Sequence, residues 1–325
     1  PFVVRDIHRK YLEAGADIIE TNTFNAQRIS MGDFGMQDYC REINLAAVQI
    51  ARQCAEEYST PEKPRFVAGS IGPTSKTFVS EEGNDKEKFA TALREAYAEQ
   101  IQALVDGGVD VLLIETIFDT QNARIAFEEA KRIAPDMPIM LSFSVSTPDG
   151  HNMLGQDIQE FIGTFQKGDL FSVGINCVSD IKAMTPLVCQ LARFGTKVSI
   201  YPNAGMPDGK GRYNKTPESL TSRSEERFSR NAETDLWPLL ENHCLSIVGG
   251  CCGTTNKHIS LISKVIEPIA HVFLSPLNTE EAQRTVVFPQ EPSLSSKSSD
   301  TSDFSKTSPA SEDSPEERLF EAILN

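Results

Sequence analysis

Short apolar segments alternate with longer helical segments along most of this chain, and that alternation restricts the possible folds. Seven segments rich in β-branched and other apolar residues are predicted as buried strands: 16–20, 65–70, 111–116, 138–145, 171–176, 198–202 and 245–249. Helical patterns separate them at 38–58, 86–106, 120–133, 156–165, 181–194 and about 219–241. Strands that alternate with helices of this length form parallel β-α-β units. The pattern therefore predicts an α/β fold with a parallel sheet.

The number of strands distinguishes between two kinds of parallel sheet. Seven strands, preceded by a helical pattern that includes Ile7, Tyr11 and Leu12, fit an eightfold β/α barrel of the TIM type that lacks its first strand. The residues that precede Pro1 are expected to supply that strand. An open doubly wound sheet is the alternative, but it needs a glycine-rich phosphate loop after its first strand, and none is visible there.

A weak internal repeat supports the same β/α organisation. Gly15 and Gly108 each end a helical pattern, and an aspartate follows two residues after each glycine. In both copies an apolar strand then ends in Glu-Thr, at Glu20 and at Glu115. In a barrel the active-site residues lie at the carboxyl ends of the strands. The polar or special residues predicted there are Asn22, Ser70, Glu115, Asn176, Cys177, Asn203, Cys251 and Cys252.

Composition excludes several classes of function. The formal net charge of -15 argues against nucleic-acid binding, which requires clustered Lys and Arg. No apolar run approaches the roughly 18 residues that a membrane-spanning helix needs, so no membrane partner is expected. The seven cysteines are an odd number and have no disulfide-framework spacing. This favours a reducing compartment and a cytoplasmic location.

The end of the sequence differs in composition from the rest. We assign residues 1–278 to the barrel, 279–314 to a disordered linker and 315–325 to the start of a further helical domain. The segment Ser293–Ser314 holds ten serines in 22 residues and cannot bury enough apolar surface to fold. A helical pattern follows from Pro315, with Ser314 as its N-cap.

The segment 247–255 carries two adjacent cysteines, Cys251 and Cys252, between glycines. Successive side chains of a regular strand face opposite ways, but glycines allow the backbone to turn both sulfurs toward one point. Small core residues or a vicinal disulfide are the alternatives. Cys177 follows another predicted strand at the same end of the barrel and is the candidate for a third ligand. The four other cysteines are predicted to be packing residues: Cys40, Cys54, Cys189 and Cys244.

Three thiolates favour zinc, because soft sulfur ligands in tetrahedral geometry suit that metal. Such a site has a net charge near -1 and is a poor Lewis acid toward water. It is better suited to holding a substrate thiol as a thiolate, the nucleophilic form. An open fourth position for a substrate sulfur therefore indicates alkyl transfer to a thiol.

Several strings in the sequence carry a family resemblance: GADIIETNTF, GSIGPT, IETIFD, GINC, PNAG and GGCCGTT. Together they resemble the homocysteine S-methyltransferase family, and are most similar to the homocysteine-binding module of cobalamin-dependent methionine synthase. The resemblance covers roughly residues 1–275. It implies that Cys177, Cys251 and Cys252 bind Zn²⁺ and that the sulfur of L-homocysteine takes the fourth position. It also implies that Glu115 holds the substrate amino group and that Asn203 is the oxygen ligand or neighbour of the metal when substrate is absent.

The expected reaction is zinc-dependent methyl transfer to L-homocysteine, giving methionine. The segment 315–325 resembles the first helix of the cap of corrinoid-binding modules, so the donor is expected to be methylcobalamin on a neighbouring domain. A methyltransferase that uses betaine or S-methylmethionine is an alternative. Two further alternatives are a substrate- and zinc-binding module without independent activity, and a structural zinc site in a barrel with other chemistry. The family begins with a strand that ends in an Asp-Gly-Ala type turn, which has no counterpart in this sequence.

Overall fold

The computed structural model describes residues 1–78, 83–166, 168–221, 239 and 244–273. Within that part of the chain, helices alternate with strands in the order expected for β/α units. The strands are β1 Ile18–Glu20, β2 Phe66–Ile71, β3 Val111–Ile117, β4 Ile139–Phe143, β5 Ser172–Asn176, β6 Lys197–Tyr201 and β7 Ile247–Val248. The helices are α1 Phe2–Glu13, α2 Arg28–Gly32, α3 Cys40–Tyr58, α4 Asn84–Gly107, α5 Thr120–Ile133, α6 Ile158–Ile162, α7 Ile181–Leu191, α8 Pro217–Thr221 and α9 Asn256–Phe273.

The seven strands form one parallel sheet in sequence order, with β1 and β7 at its edges. Each strand pairs in parallel with the next along the chain. The prediction of seven parallel strands is therefore confirmed for the described residues. This order is that of a β/α barrel and differs from a doubly wound sheet, in which the strand order reverses at a switch point.

The sheet curls until its first and last β/α units meet. The hydroxyl of Tyr11, on α1, donates to the carbonyl of Thr254, which precedes α9, over 3.4 Å. Gly15, in the turn between α1 and β1, packs so closely on Ser263 of α9 that an added Cβ would lie 2.5 Å from the Ser263 hydroxyl oxygen. The helices of the two end units thus adjoin. The described chain is a curled seven-stranded α/β sheet, as in a TIM-like barrel.

The two faces of the sheet have separate apolar cores. Leu112 and Ile114 of β3 belong to the large core between the sheet and the helices. Val111 and Leu113 point the opposite way, into a smaller inner cluster that also holds Met140 and Tyr201. Side chains alternate along a strand, so a residue two positions after Leu113 faces inward as well. Glu115 therefore lies on the inner face of β3.

Helix boundaries differ from the predictions at several places. The pattern at 156–165 predicted a longer helix than α6, and the pattern at 181–194 becomes α7 followed by a 3₁₀ turn over Ala192–Phe194. Helices α2 and α9 were not predicted. The predicted helix at 219–241 overlaps α8, but most of it lies outside the described residues. The linker at 279–314 and the segment 315–325 lie outside them too. No described helix has the length and apolarity needed to cross a bilayer.

Two of the four cysteines predicted as packing residues form a disulfide. Cys189 on α7 and Cys244 before β7 are bonded, with their Cα atoms 5.0 Å apart. The prediction was wrong for this pair, because 55 residues separate them in sequence and only the folded sheet brings them together. Cys40 and Cys54 are free and buried, as predicted. The disulfide also weakens the inference of a reducing compartment from cysteine spacing.

Gly174 provides a test of the packing between β5 and β6. An added Cβ would lie 2.7 Å from the carbonyl carbon of Ser199, and backbone cannot move aside as a flexible side chain can. We expect Gly174→Ala to lower the free energy of unfolding by about 3 kcal/mol, as overpacking of a core does. Gly209→Ala is the matched control, because nothing lies within 4 Å of its added Cβ. Urea denaturation measures both, and equal stabilities would contradict the close approach.

Candidate functional site

The three cysteines named from the sequence converge at the carboxyl ends of β5 and β7. The sulfurs of Cys177 and Cys251 lie 2.9 Å apart, and each lies 3.9 Å from the sulfur of Cys252. Within the described residues, these three form a group whose ligand atoms are close enough to share one metal ion. Cys177 and Cys251 are half-buried and Cys252 is exposed.

The sulfur separations can be compared with those of a metal site and of a disulfide. Zinc bound at about 2.3 Å from each sulfur places tetrahedral sulfurs roughly 3.8 Å apart. Two of the three separations match that value. The third is shorter than a tetrahedral edge but well beyond the ~2.05 Å of a disulfide. A movement of less than about 1 Å by one sulfur would complete the geometry, so the donor set fits a zinc ion.

Backbone geometry places each sulfur. Cys177 adopts a left-handed conformation with φ 57°, rare for a residue with a side chain. Its N–H donates to the carbonyl of Tyr201 at 3.1 Å, and the N–H of Cys251 donates to Pro202 at 2.8 Å. After Cys252 the chain turns at Gly253, with φ 77°, where a side chain would be strained. The loops after β5 and β7 are thus both anchored to the end of β6.

Electrostatics of the thiols also favours a cation. The pKa of the Cys251 thiol is raised, first by its hydrogen bond with Cys177 and then by burial. Thiolates this close repel one another, so they do not ionise together without a compensating positive charge. A divalent metal ion supplies that charge.

Asn203 lies between the two cysteine loops. Its side-chain oxygen accepts the N–H of Cys252 at 3.1 Å, and its side-chain nitrogen donates to the carbonyl of Cys177 at 3.1 Å. Its backbone N–H donates to Val178 at 2.9 Å. The side chain is buried and bridges the loops that carry the three sulfurs. The role implied for Asn203 by the family resemblance, an oxygen ligand or neighbour of the metal, remains a prediction.

Glu115 lies at the inward-facing end of β3 with only 7% of its surface exposed. The hydroxyl of Ser70, at the end of β2, donates a short hydrogen bond to its carboxylate. Burial raises the pKa of Glu115 to about 7, and the bond from Ser70 opposes that rise. A buried carboxyl whose pKa is raised by burial, at the mouth of a barrel, suits a positively charged substrate group.

A sequence model of the family described as homocysteine S-methyltransferase matches residues 1–266 of the chain. The chain belongs to this family. All five predicted site residues lie within the matched region: Glu115, Cys177, Asn203, Cys251 and Cys252.

Solved structures of a homocysteine methyltransferase are similar in fold. The homocysteine methyltransferase MmuM from Escherichia coli in its metallated form has 21% sequence identity and a TM-score of 0.63, covering 81% of this chain and 84% of that chain. Its oxidised form has 20% identity and a TM-score of 0.64 over the same shares. At this identity the likeness shows the fold.

Two residues near the site were not singled out from the sequence. Glu20, at the end of β1, has a pKa raised well above the usual value, by desolvation first and then by the charges of Glu115 and Cys251. Its signal was the internal repeat, in which Glu20 and Glu115 occupy equivalent strand ends. Tyr213, in the loop after β6, packs so closely on Gly253 that an added Cβ there would lie 2.5 Å from the Tyr213 Cβ. No sequence pattern indicated that contact.

Proposed function

We propose that this protein transfers a methyl group to the sulfur of L-homocysteine, giving methionine, with Zn²⁺ held by Cys177, Cys251 and Cys252. The observation that carries the proposal is the convergence of three thiols at the end of a barrel that also presents the buried carboxyl of Glu115. Membership of the homocysteine S-methyltransferase family supports the same reaction.

Cys177, Cys251 and Cys252 would hold the zinc ion and leave room for the substrate sulfur beside it. Zinc held in this way would lower the pKa of a coordinated thiol and favour the nucleophilic thiolate at neutral pH. The protein residues then orient the substrate. Asn203 holds the two cysteine loops together, and the backbone bonds to β6 prevent the sulfurs from moving apart.

Glu115 is proposed to hold the ammonium group of homocysteine. An opposite charge stabilises the ionised carboxylate, so binding should lower the pKa of Glu115 from about 7. Ser70 keeps the carboxylate oriented by donating to it. Glu20 adds a second carboxyl, whose pKa is raised in part by the charge of Glu115, and a nearby cationic group would stabilise both carboxylates.

We propose methylcobalamin, carried by a neighbouring corrinoid domain, as the methyl donor. The support is the resemblance of the sequence strings to the corresponding module of methionine synthase, and the resemblance of residues 315–325 to a corrinoid-domain cap. To test this choice of donor, the zinc-loaded chain is incubated with homocysteine and one donor at a time. The donors are free methylcobalamin, betaine and S-methylmethionine. Methionine should form with methylcobalamin. Formation with another donor alone would replace this part of the proposal.

Binding to zinc-loaded protein tests the substrate and its mode of coordination. We expect L-homocysteine to release about one more proton on binding than methionine, because a thiol becomes a thiolate and a thioether has no proton to lose. Isothermal titration calorimetry at pH 8, in buffers of different ionisation enthalpy, measures the difference. Methionine has the same amino and carboxyl groups, so any proton lost by Glu115 cancels. Equal proton release would contradict coordination through the substrate sulfur.

A further inference from the structure

Strand β3 contains an irregularity at the residues that present the Glu115 carboxyl. The register between β3 and β4 shifts between Ile114 and Ile117. Glu115 and Thr116 therefore oppose a single residue of β4, Ser142, as in a β-bulge. Thr116 has a left-handed backbone with φ 57°, which is strained for a β-branched residue. Such a conformation persists only where surrounding contacts hold it, so the position of this bulge depends on its neighbours.

The side chain of Asn176, the last residue of β5, supplies contacts on both sides of the bulge. Its oxygen accepts the backbone N–H of Thr116 at 3.1 Å and the hydroxyl of Ser142 at 2.8 Å. Its nitrogen donates to the hydroxyl of Thr116 at 2.7 Å. Asn176 is fully buried, so water does not compete for these bonds. The amide thus binds the strained residue of β3 and the residue of β4 opposite it.

The same amide adjoins the cysteine site. Asn176 directly precedes Cys177, which is also left-handed with φ 57°. Among the described residues, Thr116 and Cys177 are the two non-glycine residues with a positive φ. The side-chain nitrogen of Asn176 lies 3.8 Å from the sulfur of Cys177 and 3.9 Å from that of Cys251. One buried amide therefore joins the strained residue beside Glu115 to two of the three sulfurs.

We propose that Asn176 is a positioning residue that fixes the Glu115 carboxylate relative to the cysteine sulfurs. It acts through Thr116, whose backbone continues directly from Glu115. A substrate held at its sulfur and at its ammonium group needs the distance between these two points to stay constant. The inference rests on the proposed function. It adds that recognition of the ammonium group depends on a residue of the strand that leads to Cys177.

The affinities of two thiols separate this role from simple support of the metal site. 4-Mercaptobutanoate is homocysteine without its amino group, so it offers zinc a sulfur but offers Glu115 no ammonium group. The dissociation constant of 4-mercaptobutanoate divided by that of homocysteine therefore measures recognition of the amino group, and effects on zinc coordination cancel. Calorimetric titration of zinc-loaded protein gives both constants. We expect Asn176→Ala to lower this ratio about tenfold, because a displaced carboxylate loses most of its hydrogen bond to the ammonium group.

Two substitutions of Thr116 form a matched pair that tests the link between Asn176 and Glu115. Valine keeps the branched shape of threonine but cannot accept the hydrogen bond from Asn176. Thr116→Val should therefore lower the ratio about threefold or more, a fraction of the effect of losing the whole amide. Serine retains the hydroxyl, so Thr116→Ser should leave the ratio as in the unsubstituted protein. This pair decides the question if the Asn176→Ala protein does not fold.

The zinc content of every variant is measured in parallel. An unchanged ratio in either the Asn176→Ala or the Thr116→Val protein, with zinc retained, would overturn the inference. Equal falls in the Thr116→Val and Thr116→Ser proteins would overturn it too. In a Glu115→Gln background, Asn176→Ala should lower the ratio no further, and an undiminished fall there would show that Asn176 does not act through Glu115. Failure of the unsubstituted protein to bind zinc or homocysteine would overturn the proposed function and this inference with it.

Discussion

Replacement of Cys251 by serine is expected to abolish stoichiometric zinc binding and methyl transfer. Structural zinc sites have binding free energies of roughly 10–16 kcal/mol at neutral pH, so loss of one of three thiolates removes about 4 kcal/mol. That corresponds to a roughly thousandfold lower affinity. Serine is close to cysteine in size, but its hydroxyl is a far weaker zinc ligand than a thiolate. Metal analysis after dialysis measures bound zinc, and a methionine-formation assay measures activity.

The control for this variant is Cys54→Ala. Cys54 is a free cysteine buried on α3, with its sulfur near the carbonyl of Arg5. Its substitution should leave one zinc ion per folded chain, even if the packing of α3 is weakened. If Cys251→Ser retained a full equivalent of zinc with unchanged affinity, the three sulfurs would not form one site, and the proposed function would lose its main support.

Substitution of Glu115 by glutamine is expected to weaken homocysteine binding and to change how stability depends on pH. An ionic hydrogen bond to the substrate ammonium contributes roughly 1.5–3 kcal/mol, so the affinity should fall about 10- to 100-fold. Calorimetric titration of zinc-loaded protein measures this loss. Glu160→Gln is the surface control, because Glu160 is exposed on α6. The affinity of the Glu160→Gln protein for homocysteine should equal that of the unsubstituted protein.

The same substitution is expected to weaken substrate binding but to stabilise the substrate-free protein at high pH. Its pKa is raised from 4.5 to about 7 in the folded protein, so the unfolded chain loses this proton first as the pH increases. The contribution to stability is complete below pH 4.5 and is lost as the pH rises through 7. Glutamine cannot ionise, so substrate-free Glu115→Gln should be more stable than the unsubstituted protein at pH 8.5, by about 3 kcal/mol. Urea denaturation at pH 4 and 8.5 measures the difference, and equal profiles would contradict the raised pKa.

The strands could be predicted from sequence because each is a local feature. In β3, a run of apolar residues from Val111 to Ile114 is enough to indicate a buried strand. The run does not show which side chains face the inner core, since all four are apolar. Glu115 is the first polar residue after this run, and in the structure it faces the same side of the sheet as Val111 and Leu113. The outward neighbours Leu112 and Ile114 pack on the helices.

The convergence of the cysteines could be inferred from topology, because parallel strands end at one edge of the sheet. The interactions around them could not. The bridge made by Asn203 and the contact of Tyr213 with Gly253 depend on how three loops pack together. Both are separated from their partners by tens of residues and follow no periodic pattern. The disulfide between Cys189 and Cys244 could not be predicted for the same reason. Helix α7 and the segment before β7 become neighbours only when the sheet has folded.

The separation of the proposed metal ligands from Glu115 has a consequence for the evolution of substrate choice. Cys177 follows β5, whereas Glu115 lies near the end of β3, and β4 lies between these strands. Backbone hydrogen bonds hold neighbouring strands about 4.8 Å apart, so the two strands are roughly 10 Å apart whatever side chains they carry. A thiol amino acid that engages both ends must match this interval. Substitutions can alter the affinity of either end, but acceptance of a longer or shorter homologue requires a change in the backbone of the sheet.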